Sequence, residues 1–562
     1  MFSIKRIFSA LGAAALLATI VVADPPARVA RINYLQGPVS LQRGDLGAWD
    51  QAVTNYPMVA NDSLWTDDHA RAELHIGSTA LRLADQTSIS FLNLNDQAVQ
   101  IRLAKGVVEL HLNRLDPAES YEIDTPCASA SLSQTGDYRL EVNEAGDATI
   151  ITRRGQAEVT VGDLPFDVTA NQQANVANSA DPIYELSPPK PIDDFERWAN
   201  ERTRREEQCV SARYVSREMI GYEDLDAYGG WTVLPDYGNA WAPYSVPAGW
   251  APYSAGNWLW LEPYGWTWVD VEPWGFAPFH YGRWAFVRGA WYWVPGPLAP
   301  RPIFAPALVS FIGGNNWGVS LGFGPGIGWF PLGPGEIYRP VYFVSERYIR
   351  GLNPAPGLNV RVVNRFVNRE VPGAVTVVTR EVFTRGRIDA VSRVRIEPRM
   401  LAGAPLLGAA APLAPARESL LVRGGHGEVV ARPPDFVRER IVRTKLAPAP
   451  NAIPFAARRS ALTANPGRPI DAPTLRRIRG AAPDRHFPGG MPTRPANPPN
   501  AHAPEPRLLR PVNPPLMRGP EPRFETPVRP NNPSGIRPEY APPMRPPQRT
   551  EHGNGFNVRH SH

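Results

Sequence analysis

Two cysteines in 562 residues cannot form a disulfide framework, and neither stands in the Cys-x-x-Cys spacing that a structural zinc site uses. The ten histidines are scattered without a His-Glu-x-x-His pair, so no metal centre is expected, and no cofactor-binding residues emerge either. Long apolar runs are as scarce. Residues 7–22 form one, and nothing further along resembles a membrane span. From residue 401 onward tryptophan is missing altogether, and a chain so poor in large apolar residues cannot offset its ordering entropy.

That last stretch is rich in other things. It holds 32 of the 63 prolines and 24 basic residues against 11 acidic ones, whereas the whole chain carries a net charge of only +5. Residues 401–562 are therefore expected to be a disordered basic tail with polyproline segments. The arginines of the tail come without a fold or stacking aromatics, so no specific nucleic-acid partner is expected, whereas anionic envelope polymers suit the charge. At the other end Lys5 and Arg6 precede the apolar run, and Val21-Val22-Ala23 before Asp24 has the small-residue form of a signal-peptidase site. Residues 1–23 are expected to be a cleaved signal peptide, which makes the protein exported and periplasmic or envelope-associated. In that oxidising setting Cys127 and Cys209 either pair, for roughly 3–5 kcal/mol of loop closure, or stay as two inert buried thiols.

Residues 231–293 hold 11 of the 16 tryptophans, and their spacing repeats. Trp250-Ala251-Pro252-Tyr253, Gly256, Trp258 and Trp266-Thr267-Trp268 are followed by Phe276-Ala277-Pro278-Phe279, Gly282, Trp284 and Trp291-Tyr292-Trp293. An aromatic, a proline, a glycine and a tryptophan kept in step point to a duplicated supersecondary unit. Side chains on a strand alternate, so Trp258 and Trp260, Trp266 and Trp268, and Trp291 and Trp293 each share a face. The expectation is a β-meander with an aromatic core over 229–342. Gly328-Trp329-Phe330-Pro331-Leu332 begins like a third copy.

Ahead of it, residues 29–178 read as all-β. Ala72, Leu74 and Ile76 alternate with Arg71, Glu73 and His75, and the same period of two recurs at Val108, Leu110 and Leu112 and at Tyr138, Leu140 and Val142. Short strands between turn residues imply a sandwich or an open roll. Trp49, Leu64-Trp65-Thr66, Ala70-Arg71-Ala72-Glu73-Leu74, Lys105-Gly106, Asp124-Thr125-Pro126, Gly136-Asp137-Tyr138-Arg139 and Arg154-Gly155-Gln156-Ala157-Glu158-Val159 together resemble the FecR domain. The resemblance implies an all-β periplasmic module, and in the founding systems such modules relay an outer-membrane signal to a sigma factor. Residues 222–342 in turn resemble a Trp/Gly-rich region of unknown function that often follows a FecR domain in bacterial envelope proteins.

Residues 188–228 are expected to be a connecting helix. Its start is at Pro191-Ile192-Asp193, and its Glu/Arg-dense surface reads as a solvated face. Residues 343–400 mix Val and Arg and are expected to be an extended arm. The fold class is thus mainly β, with a FecR-like domain, a short helix, an aromatic-cored module and a disordered Pro/Arg-rich tail.

Catalytic residues are not expected. Gly318-Val319-Ser320-Leu321-Gly322 has the letters of a nucleophile elbow, but Phe323-Gly324-Pro325-Gly326 cannot start the helix the elbow needs. His280, between Phe279 and Tyr281, reads as a packed side chain, and Asp193-Asp194 as a helix cap. The candidate ligand surface is the set Trp258, Trp260, Trp266, Trp268, Trp274, Trp284, Trp291 and Trp293. Exposed rings there would stack on a glycan, whereas buried rings would be the module's core. Trp258 and Trp274, beside Gly or Pro turns, are expected to be the most exposed. The function expected is that of a non-enzymatic, exported cell-envelope protein that binds or scaffolds envelope proteins or glycans. The alternative is a FecR-type sensor that regulates a sigma factor.

Overall fold

The strand Ala98–Leu112 belongs to two sheets at once. Its first half pairs with Thr87–Leu94 and, in parallel, with Ser120–Asp124; its second half pairs with Thr79–Leu83 and Gly136–Val142. The pattern of residues explains the switch. Val99, Ile101 and Leu103 face the core at odd positions, Val108, Leu110 and Leu112 at even ones, and the parity changes at Gly106. There φ is +97° and a Cβ would fall 2.3 Å from Thr87 Oγ1, so only glycine lets the strand cross between the layers. The two layers enclose the apolar residues that alternate along their strands, Ala72, Leu74 and Ile76 among them. The all-β reading of this region is thus the observed fold.

The computed structural model describes residues 24–481 except 182, 315–316, 318–325, 355–365 and 423–429. The signal-peptide segment 1–23, the elbow motif at 318–322 and residues 482–562 of the tail lie outside the described residues. Everything described falls in one compact unit, Met1–Pro492.

The helix Asp194–Glu207 starts where the sequence places it, with Asp193 Oδ1 accepting from the Glu196 amide at 2.9 Å. It is not a spacer. Phe195, Glu196 and Ala199 are buried against the sandwich, and its charged side chains meet those of the sheet. The expected solvated face is a docking face, because the polar positions it covers, Glu73 and His75, carry complementary charge.

In the aromatic module both copies of the repeat form hairpins. Gly256–Leu261 pairs with Gly265–Asp270 so that Trp258 lies opposite Trp268 and Trp260 opposite Trp266. Arg283–Val287 pairs with Ala290–Val294 and sets Trp284 opposite Trp293. The repeated glycine has a common cause: a Cβ on Gly256 would meet the Trp268 ring at 2.5 Å, and one on Gly282 would meet Trp293 Nε1 at 2.6 Å. Each copy leaves room there for the indole across its hairpin. The third, partial copy supplies the strand Ile327–Pro331, whose Trp329 donates to the Tyr253 carbonyl at 2.9 Å.

The two β modules share core. Leu259 and Val269 of the first Trp hairpin join the apolar cluster of the sandwich, and Val29 joins the aromatic cluster. Beyond residue 342 the chain continues to pack. Thr376–Val378 is a strand paired with Ile327–Pro331, and Phe383 of the helix Arg380–Arg385 is fully buried beside Trp258, with ring centroids 5.3 Å apart.

The expected disordered tail does not begin at 401. Leu406–Gly408 pairs with Val309–Gly313, Ala411, Leu413 and Leu420 enter the aromatic core, and Phe455 and Leu462 of the helix Phe455–Ala464 follow them. Composition misled because few large apolar residues are needed where each is inserted into a core that other segments have already built. Truncation after Met400 should therefore remove core instead of a mobile appendage. In thermal unfolding followed by tryptophan fluorescence, we expect the shortened chain to lose its cooperative transition or to melt far below the full chain.

Candidate functional site

The eight candidate stacking tryptophans, Trp258, Trp260, Trp266, Trp268, Trp274, Trp284, Trp291 and Trp293, are all buried, and no ring face among them is open to a ligand. Trp258 and Trp274, expected outermost, are 3% and 2% exposed. The rings pack edge to face and tilted at centroid separations such as 5.5 Å for Trp258 with Trp329 and 5.4 Å for Trp260 with Trp266. Most of the indole N–H groups are consumed inside. Trp241 donates to Leu225 O, Trp266 to Leu413 O, Trp284 to Pro278 O and Trp293 to Tyr281 O at 2.8–3.0 Å. Trp268 donates at 2.8 Å to Asp270, whose carboxyl burial pushes up to about 8. The rings are the module's core, as the repeat of fixed glycines requires.

The chemistry-bearing residues that the fold gathers lie elsewhere, where the sandwich, the helix and the start of the aromatic module meet. Strand alternation turns Glu73 and His75 of Arg71–Ile76 and Arg82 of Thr79–Leu83 to the outer face of the sheet. The helix then covers them with Arg202, Thr203 and Glu206. Glu73, wholly buried, accepts from Arg82 Nε at 2.7 Å, from Arg202 Nε and Nη2 at 2.6 Å and from Asn33 Nδ2 at 2.8 Å. Arg82 also reaches Glu206 at 2.7 Å and Thr203 Oγ1 at 2.8 Å. His75 links the three parts: Nδ1 lies 2.7 Å from Glu223 Oε1, and Nε2 lies 3.2 Å from Glu73 and 3.5 Å from Glu206. Arg31 continues the network to Glu223 at 3.1 Å and Asp224 at 2.6 Å, and donates to Asn55 Oδ1 and the Pro273 carbonyl.

Burial by itself would neutralise these groups, and their neighbours decide otherwise. It would raise the Glu73 carboxyl, yet Arg82, Arg202 and His75 hold it well below the usual carboxylate range. It would lower the His75 imidazolium, yet Glu223 and Glu206 raise it well above that of a free histidine. Asp224 is the partial exception. Burial pushes it up to about 6 against the pull of Arg31.

Glu73, His75 and Glu206 present donor atoms within 4.8 Å of one another, a spacing a metal ion could use. The same carboxylates already accept from Arg82 and Arg202, whose charges balance them. The arrangement can therefore lock three parts of the fold without an ion. The sequence pattern reads the Glu/Arg surface of the helix as a solvated face and leaves Glu73 and His75 as the alternate positions of a half-buried strand; the signal was the charge of the helix matched against Arg71-Ala72-Glu73-Leu74-His75, which pattern alone cannot pair.

The remaining sequence candidates occupy ordinary places. His280 is buried with Nδ1 2.7 Å from the Ala305 carbonyl, and burial pushes its pKa down to about 3, so it is a neutral packed ring. Cys127 and Cys209 are not paired. Each is a free buried thiol, with Sγ 3.6 Å from the Val176 carbonyl and 3.7 Å from the Tyr222 carbonyl respectively. No helix among the described residues is long and apolar enough to cross a membrane.

Residues 222–336 match the model of a family described as a family of unknown function, DUF6600. The match begins at Tyr222, beside the Glu223 that joins the charge network. Among solved structures, two crystal structures of a protein from Parabacteroides distasonis ATCC 8503 assigned as an anti-sigma factor are similar, at 14% and 13% identity and a TM-score of 0.21. Each alignment covers 23% of this chain and 60% of that one, so the chain spans less than two thirds of their length. No curated protein matches by sequence.

Two measurements check the lock. Arg82→Ala leaves the buried Glu73 and the half-buried Glu206 with one cation fewer, and urea unfolding should show a loss of about 3–5 kcal/mol, the usual cost of breaking a buried pair. The His75 pKa is raised in the folded state, so its stabilisation is complete below the unfolded value and is lost as pH rises through the folded one. Glu73 has the opposite sign, and its contribution is lost as pH falls. The stability gap between the wild type and His75→Gln should therefore be widest in mildly acidic solution and close as the solution is made alkaline; a gap that widens with pH would contradict the assignment.

Proposed function

We propose that this is an exported cell-envelope protein that acts by contact, binding or scaffolding other envelope components without chemistry of its own. The N-terminal basic and apolar segment supports export, and the interior supports contact: its rings pack on one another, and the buried charges at the junction of sandwich, helix and aromatic module pair with one another. The carrying observation is on the outside. Among the described residues, nothing pairs with the outer edge of the first strand in the hairpin of Gly229–Leu234 and Gly238–Pro243, and around it Val233 and Tyr244 are 72% and 73% exposed. An open strand edge with apolar side chains is a template for pairing with another polypeptide. Because the tryptophan faces are buried, a protein partner is favoured over a glycan. The second reading, a FecR-type regulator of a sigma factor, rests on the sequence resemblance of residues 29–178, and the basic tail fits anionic envelope polymers.

Pull-down from fractionated envelope, with the full chain as bait, distinguishes these readings. We expect a specific envelope protein to be retained by the wild type and at least tenfold less by Val233→Asp with Tyr244→Asp, with tryptophan fluorescence unchanged. Recovery of a sigma factor or its receptor would favour the regulator. Retention of no envelope protein, peptidoglycan or lipopolysaccharide would defeat the proposal.

A further inference from the structure

Residues 437–450 form a strap laid across the outer face of one sheet of the sandwich, held mainly through its backbone. Asn93 on Thr87–Leu94, Gln100 on Ala98–Leu112 and Glu122 on Ser120–Asp124 are direct neighbours across three strands. All three are buried, and they are chained to one another, Asn93 Nδ2 to Gln100 Oε1 at 2.7 Å and Gln100 Nε2 to Glu122 Oε1 at 3.1 Å. This row addresses the backbone of the strap. Glu122 accepts from the amides of Lys445 and Leu446 at 3.0 and 2.9 Å, Gln100 donates to the Leu446 carbonyl at 3.0 Å, and Asn93 donates to the Ala447 carbonyl at 2.9 Å. The sheet backbone adds two more bonds, Arg443 N to Thr125 O and Ala449 N to Leu92 O, at 2.8 and 2.9 Å. Arg102 donates to the carbonyls of Val437, Arg438 and Arg440.

Beyond Val437, which is buried in the short helix Asp435–Arg438 where the strap begins, two side chains are read closely. The guanidinium of Arg440 donates to the carbonyls of Ala104, Asn143 and Glu144, and Val442 is buried at 5% exposure. The requirements are thus explicit: an arginine, an apolar residue two places on, an extended backbone, and free amides at the positions of residues 443, 445, 446 and 449. Proline is acceptable at the positions of 444, 447 and 448, and Pro448 occupies the last.

We infer that the Asn93, Gln100 and Glu122 row is a peptide-binding groove, which the strap fills in cis and which accepts in exchange an extended basic, proline-containing peptide offered in trans. Acidic groups suit it to that class. Glu122 lies in the row, and Glu158 pairs with Lys445 at the rim. Backbone reading gives affinity with little dependence on side chains, and the arginine and apolar positions set the register. The inference stands apart from the compartment and from the open hairpin edge, and a failure of either leaves the other untouched.

The chain's own sequence supplies a probe with this pattern that differs from the strap. In Arg507-Leu508-Leu509-Arg510-Pro511-Val512-Asn513-Pro514-Pro515-Leu516, aligning Arg507 with Arg440 puts Leu509 at the buried position of Val442. Pro511, Pro514 and Pro515 then fall at the three positions where no amide is needed, and Arg510, Val512, Asn513 and Leu516 at the four where one is.

The test uses the full chain and a labelled synthetic peptide of residues 505–518, read by fluorescence anisotropy and by hydrogen exchange. We expect saturable binding, tighter to an Arg440→Ala chain, whose strap is loosened, than to the wild type. At saturation the amides of Arg443, Lys445, Leu446 and Ala449 should exchange at least tenfold faster as the strap leaves. Val512→Pro in the peptide, which removes an amide that Glu122 needs, and Gln100→Ala in the protein should each weaken binding at least tenfold, with tryptophan fluorescence unchanged for the protein variant. The inference is overturned if neither chain binds the peptide. It is also overturned if a scrambled peptide or the Val512→Pro peptide binds as well as the parent, or if binding leaves exchange in the strap unaltered.

Discussion

Charge removed from water must be matched within the protein, and in this chain that constraint sets how the parts are joined. Glu73, Glu206, Glu223 and Asp224 meet Arg31, Arg82, Arg202 and His75 at the junction of sandwich, helix and aromatic module. A buried ion pair contributes little net stability compared with apolar packing, but an unmatched member is expensive. Such a network therefore acts as a specificity device. It tolerates one arrangement of the three parts and penalises any other that strands a charge. That is a physical reason for the helix to follow the sandwich and for the aromatic module to begin with Glu223 and Asp224.

The aromatic module solves a different problem with the same economy. Its hairpins are too short to bury much area with aliphatic side chains, so large rings supply the area and most of their N–H groups are satisfied by nearby carbonyls and carboxylates. This also explains why the module recruits distant segments. Phe383 and Leu413 approach from outside the hairpins, and Leu413 accepts the N–H of Trp266. A core shared so widely does not divide into independently folding pieces. The outer surface carries the hairpin edge and the strap face that are proposed to read polypeptide backbone.

Much of this was legible in one dimension. Period-two alternation located the strands of the sandwich, the repeat of Gly-x-Trp located the two hairpins and their turns, and Pro191-Ile192-Asp193 located the helix start, because each depends on neighbours close in sequence. Three readings went differently for one reason. The Glu/Arg surface of the helix, the exposure of Trp258 and Trp274, and the disorder expected of residues 401–422 and 430–481 all depend on what another segment, often hundreds of residues away, does to the same side chains.

Sequence by itself determined the strands of the sandwich, the helix start, the duplicated hairpins and the alternation of each strand face, since these follow from backbone geometry and from spacing along the chain. Only the tertiary structure decided which polar faces are buried. Glu73 looks like a surface residue until Arg82 and Arg202 close over it, and Gln100 and Glu122 look like a solvated strand face until the strap arrives. The free energy of a charged or hydrogen-bonding group depends on its partners, and partners that meet through long loops leave no periodic trace.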